Sequence, residues 1–137
     1  ADLMVQTLEL VEKGQAPRTP QDERLASRQP MLCKEDGALD FALSAEMVCN
    51  RTRGVTPWPG AFAVLDGQTY KLSAPYLADG SGAPGTILAA DEKQGLVIAC
   101  GEGAVGFGQI QAPGKKRMDA RDFLRGRRLD MTKRFGK

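Results

Sequence analysis

The side chains with the greatest chemical reach in this chain are its bases, and they gather at one end. From Pro113 onward, Lys115, Lys116, Arg117, Arg121, Arg125, Arg127, Arg128, Lys133, Arg134 and Lys137 face only Asp119, Asp122 and Asp130. Between Val55 and Ala112 the balance inverts, with Lys71 and Lys93 set against Asp66, Asp79, Asp91, Glu92 and Glu102. A formal net charge of +2 conceals this asymmetry. An acidic middle followed by a strongly basic segment suits a polyanion held through its phosphates. A plain solvated surface is the alternative. Lys34, Arg51 and Arg53 add cations in the first half, where acids balance them.

Little else offers chemistry. The chain has no histidine, which removes the commonest general base near neutral pH and any Ser-His or Cys-His nucleophile pair. The carboxylate pairs Glu35-Asp36 and Asp91-Glu92 sit among turn-forming residues and read as solvated. No phosphate-cradling or dinucleotide-binding glycine pattern is present, and Gly101 to Gly106 reads as a hairpin turn. Cys33, Cys49 and Cys100 lie far apart, which excludes the usual zinc spacings and predicts reduced, buried thiols in a cytosolic compartment. No apolar run is long enough to cross a membrane. The residues therefore predict no catalytic group, metal or cofactor in this chain.

The elements that must carry the bases can be read from spacing. Residues 2–13 form an amphipathic helix with a wide apolar stripe through Met4, Leu8 and Val11. The stripe predicts packing against something upstream, another copy or the rest of the chain. Residues 15–40, rich in proline and polar side chains, read as an extended linker, with a turn at Glu35-Asp36-Gly37 and short strand pairing around Met31 to Cys33. Ser44 caps a second helix that ends near Arg51 and Arg53, with Gly54 as a left-handed stop. Pro57-Trp58-Pro59-Gly60 then makes a stiff corner, with Trp58 and Phe62 expected in the core. Five strands follow near 61–65, 69–74, 85–90, 96–99 and 105–112, separated by glycine-rich turns. Gly106 and Gly108 in the last strand allow tight coiling. The pattern predicts a mainly β domain with flanking helices, an OB-like Greek-key five-stranded barrel. After it, Asp119 caps a short helix that carries Arg121 and Arg125 outward, and a polar tail ends the chain.

The order of these pieces resembles the C-terminal domain of methionyl-tRNA formyltransferases, preceded by the interdomain linker and the last helix of the catalytic domain. The likeness is carried by residues 34–41 (KEDGALDF), 57–62 (PWPGAF), 83–88 (APGTIL), 95–101 (GLVIACG) and 115–126 (KKRMDARDFLRG). The PWPGAF element is shared with related folate-dependent formyltransferases, so a structural domain of a sugar-nucleotide formyltransferase is the alternative; a protein-interaction module with an acidic partner is a further one. The resemblance implies residues 1–14 as the last catalytic-domain helix, 15–41 as linker and 42–137 as the OB-like domain. It also implies a parent enzyme, cytoplasmic, that formylates methionine on initiator tRNA from 10-formyltetrahydrofolate. Its catalytic Asn, His and Asp lie in an N-terminal domain that this chain does not resemble beyond one helix, so the chain alone is expected to be inactive. Phosphate contacts to tRNA are expected from Lys115, Lys116 and Arg117 first, then Arg125, Arg127 and Arg128, then Lys34, Arg51 and Arg53. Aromatic stacking has weaker candidates in Tyr70, Tyr76 and Phe107.

Overall fold

The computed structural model describes residues 2–136 and falls into two compact units, Ala1–Pro30 and Met31–Lys137. In the first unit, α1 spans Asp2–Glu12 and closes where Gln15 N–H donates to Leu10 O at 2.8 Å. None of its described residues is buried, those of the apolar stripe included. A 3-10 turn at Glu23–Leu25 follows, capped by Asp22, whose carboxylate also binds the Arg24 guanidinium at 2.8 Å.

The second unit is an antiparallel, OB-like barrel. Its strands are β1 (Phe62–Leu65), β2 (Gln68–Ala78), β3 (Ile87–Asp91), β4 (Gly95–Ala99), β5 (Ala104–Gln111) and the two-residue β6 (Met118–Asp119). The sheet runs β1-β2-β5-β4-β3, with β6 also paired to β5. Strand β5 thus lies between β2 and β4 and is the spine of the unit. The expected five strands are all present. β2 runs further than its sequence suggests, because Ala74, at φ 53, and Pro75 bend the strand without ending its pairing to β5.

Barrel closure comes from a segment that looks like a polar tail. Val64 and Gly136 exchange both backbone hydrogen bonds, at 2.8 and 2.9 Å, and Phe135 N–H donates to Gly85 O at 2.8 Å. The chain end therefore bridges β1 to the residues leading into β3. Phe135 is buried, with its ring 6.0 Å from Tyr70 and 6.4 Å from Phe41. Leu129 is buried too. Gly85, at φ 81, must be glycine here, because a Cβ would run into the Phe135 carbonyl.

The core holds Leu39, Leu72, Leu96, Ile98, Val105, Phe107 and Ile110, all with essentially no exposure. Burial of such apolar side chains is the main term holding the barrel together. Leu39 and Phe41 join this core, and Leu39 N–H donates to Phe62 O at 2.9 Å. The strand-like pairing expected at Met31 to Cys33 occurs instead at Ala38, which bridges Phe62; Met31 to Cys33 are exposed. A 3-10 turn, Lys34–Gly37, fills the predicted Glu35-Asp36-Gly37 bend.

Helix α2 (Ala45–Gly54) is capped by Ser44, whose Oγ accepts from Met47 N–H. It buries Val48, Cys49 and Thr52, and the Thr52 hydroxyl donates to Val48 O at 2.8 Å, so the buried polar group is satisfied. Gly54 is not left-handed: the buried Val55 ends the helix, and the positive φ falls later, at Gly60. Helix α3 (Ala120–Gly126) starts at Asp119, which accepts from Arg121 and Asp122 N–H, and it buries Phe123 and Leu124.

Candidate nucleic-acid interface

Six of the nine expected phosphate contacts lie between the end of β5 and the residues just past α3, three of them where β5 hands over to α3. Ala112 O accepts from Lys115 N–H, and Lys115 O accepts from the Gln111 side chain at 2.8 Å. This turn presents Lys115, Lys116 and Arg117 outward on a backbone fixed at both ends, by β5 and by the β6 pairing of Met118 with Ile110. Past α3, Arg127 and Arg128 leave the helix in extended conformation just before the buried Leu129 anchors the chain.

Three depressions hold these cations. Arg117 lines one with Lys71 and the Thr56-Pro57 corner. Lys115, Lys116 and Arg127 line the next, over Met118 and Phe123. Arg127 and Arg128 line a third with Lys133, Asp66 and Asp130, where Lys133 pairs with Asp66 at 3.4 Å. The structure thus gathers Lys115, Lys116 and Arg127 around one depression and Arg127 with Arg128 around another, while Arg117 lines a separate one with Lys71.

Pairing divides the candidates further. Among the described residues, Lys115, Lys116, Arg117, Arg127 and Arg128 form no ion pair; Arg127 lies 6.0 Å from the Phe123 ring centroid. Arg125 is held by Glu92 and Asp122, each at 3.3 Å. Arg51 reaches the Asp36 carboxylate at 3.6 Å and its backbone oxygen at 3.1 Å, in a recess also lined by Glu35 and Asp40. Arg53 donates to Asn50 Oδ1 at 2.8 Å. Lys34 is exposed at the start of its 3-10 turn. Arg125 and Arg51 therefore bring much less unspent charge to a polyanion than the other five. Sequence reasoning missed Lys71, an isolated base in β2 that topology carries to Arg117.

The aromatic candidates change places. Tyr70 and Phe107 are buried, so neither can stack a base. Trp58, expected in the core, is 57% exposed on the corner, and Ala61 and Ala63 just after it face the core instead. Tyr76 lies flat against Gly106, where a Cβ would strike its ring. That glycine makes room for an aromatic ring on the strand.

Nothing in the thiols or acids suggests a reactive centre. Cys49 and Cys100 are buried, and burial pushes the Cys100 thiol up to about 11. Cys33 is exposed, contrary to the buried role expected of it, because residues 31–35 lie on the surface. Its thiol is pushed up by hydrogen bonding to Glu35 and Asp36, while the backbone N–H and thiol of Cys33 hold the Asp36 carboxyl below its ordinary range. Among the described residues, no three His, Cys, Asp or Glu side chains gather as metal ligands, and no helix is long and apolar enough to cross a membrane.

The family model for the formyl transferase C-terminal domain matches residues 31–128, from the 3-10 turn through α3 to the last pair of arginines. The chain belongs to this family. Methionyl-tRNA formyltransferase of Citrifermentans bemidjiense is 40% identical over 137 residues, all of this chain and 43% of that protein. Methionyl-tRNA formyltransferase of Macrococcus caseolyticus is 44% identical over 131 residues, covering 96% of this chain and 42% of the relative. The chain thus spans less than half the length of the curated relatives it matches. Among solved structures, HypX from Aquifex aeolicus in complex with tetrahydrofolic acid aligns with a TM-score of 0.59 at 22% identity, over 90% of this chain and 22% of HypX. That likeness concerns the fold alone.

Proposed function

We propose that this formyl transferase C-terminal domain is the tRNA-holding accessory part of a methionyl-tRNA formyltransferase. In this reading the parent enzyme moves a formyl group from 10-formyltetrahydrofolate to methionyl initiator tRNA in the cytoplasm. An upstream domain does the chemistry, residues 1–14 are its last helix, and residues 15–41 are the linker, whose last stretch from Met31 belongs to the compact barrel unit and buries Leu39 and Phe41 in its core. The barrel contributes affinity and orientation, with Lys115, Lys116, Arg117, Arg127 and Arg128 as phosphate contacts, Lys34 and Arg53 as lesser ones, and Arg51 and Arg125 held back from the phosphates by their acidic partners. No residue of the chain is assigned to folate, to a metal or to catalysis.

The observation that carries the reading is the set of five cations, unpaired among the described residues, on the turn after β5 and past the end of α3, in a chain matched along its whole length by methionyl-tRNA formyltransferases. Folded RNA offers a shaped array of phosphates rather than readable base edges, and lysine and arginine on a stiff surface suit it. Titration of initiator tRNA across a salt series tests the reading. Five phosphate contacts predict a slope of log K against log salt of about −3.5 to −4.5. Binding that is absent at low salt, or insensitive to salt, would contradict it.

A further inference from the structure

The depression lined by Lys115, Lys116 and Arg127 differs from the other two in having an apolar floor. Met118, 42% exposed on β6, and the Phe123 ring supply that floor; Lys115, Lys116 and Arg127 also line the recess, the Arg127 guanidinium 6.0 Å from the Phe123 ring centroid. The recess measures about 530 Å³, within the range of small-ligand sites. Its one acid, Asp122, is engaged by Arg125 at 3.3 Å, so the free charge around the apolar floor is positive. A flat, weakly polar body with an attached anion fits such a site. A single nucleotide has both parts, and guanidinium planes and apolar side chains are common platforms for unstacked RNA bases.

We infer that this recess takes one unstacked nucleotide of the bound RNA, its base over Met118 beside the Arg127–Phe123 pair and its phosphate on Lys115 and Lys116. The inference rests on the tRNA-holding reading and goes beyond it, since phosphate contacts alone require no apolar floor. Charge complementarity argues for this occupant over a protein segment: an apolar peptide would leave three cations unanswered.

The test uses the five methionines of the chain, labelled with 13C at their methyl groups, and initiator tRNA as the probe. The Met118 methyl, assigned from a Met118→Ala variant, should move upfield under the ring current of a stacked base, while the Met47 methyl on α2 stays in place. Met118→Ala should weaken tRNA binding about 5-fold, the low end of one stacked base, with the salt slope unchanged. A Met118 methyl that does not move under saturating tRNA, or a variant that binds within about twofold of the unsubstituted chain, overturns the nucleotide site. The salt slope would then persist, leaving the phosphate reading standing and giving the recess to a protein segment. Absence of any tRNA binding by the unsubstituted chain would overturn both.

Discussion

Lys115, Lys116, Arg117, Arg127 and Arg128 differ from Arg125 and Arg51 in what already answers their charge. An exposed ion pair such as Arg125 with Glu92 and Asp122 adds little stability, but it occupies the guanidinium that a phosphate would need. Alanine at Lys116 or Arg128 should therefore lower the salt slope by about 0.7–0.9 and weaken binding to any tRNA alike. Arg125→Ala should leave the slope within measurement of the unsubstituted chain. The thiols give a second residue-scale prediction. Hydrogen bonds to Glu35 and Asp36 favour the protonated form of Cys33. Its alkylation rate should accordingly rise with pH through an inflection above that of a free cysteine, and Asp36→Asn should bring that inflection down. Cys49 and Cys100 should stay unmodified until the protein unfolds.

At the scale of elements, the barrel is closed by its own chain end. Phe135 fills the space between Phe41 and Tyr70, and Gly85 lets its carbonyl approach the backbone. Phe135→Ala should cost about 3–5 kcal/mol, as buried aromatic truncations do. Gly85→Ala should cost at least about 2 kcal/mol from the positive φ and the collision together. Chemical denaturation of each variant measures both. This closure is not legible in the sequence: Leu129 and Phe135 stand six residues apart among polar neighbours and show neither a helical nor a strand period. The strands and helices are legible because glycine turns, the Ser44 and Asp119 caps and alternating apolar residues act locally. Trp58 departs from expectation because residue type places tryptophan inside, whereas the small Ala61 and Ala63 take the core-facing positions that follow the corner. The cation run is readable as a cluster along the chain. Its division into paired and free members depends on Glu92 and Asp36, which only the fold brings to Arg125 and Arg51.

At the scale of the whole molecule, the chain covers 43% of a relative such as that of Citrifermentans bemidjiense, and α1 leaves Leu3, Met4, Val5, Leu8 and Val11 exposed. If residues 1–14 close an upstream catalytic domain, that stripe is the surface that docks on it. Extending the chain with that domain should protect the α1 amides from hydrogen exchange, whereas unchanged fast exchange would count against the docking. Formyl transfer should be undetectable for this chain by itself. Five cations, unpaired among the described residues, are proposed to hold the tRNA, and initiator tRNA titrated at several salt concentrations separates them from the paired ones: one variant carries alanine at Lys115, Lys116, Arg117, Arg127 and Arg128, another at Arg51 and Arg125. The first should lose nearly all of the salt slope and most of the affinity, and the second should keep both. Equal loss in the two variants, or none in the first, would contradict the claim.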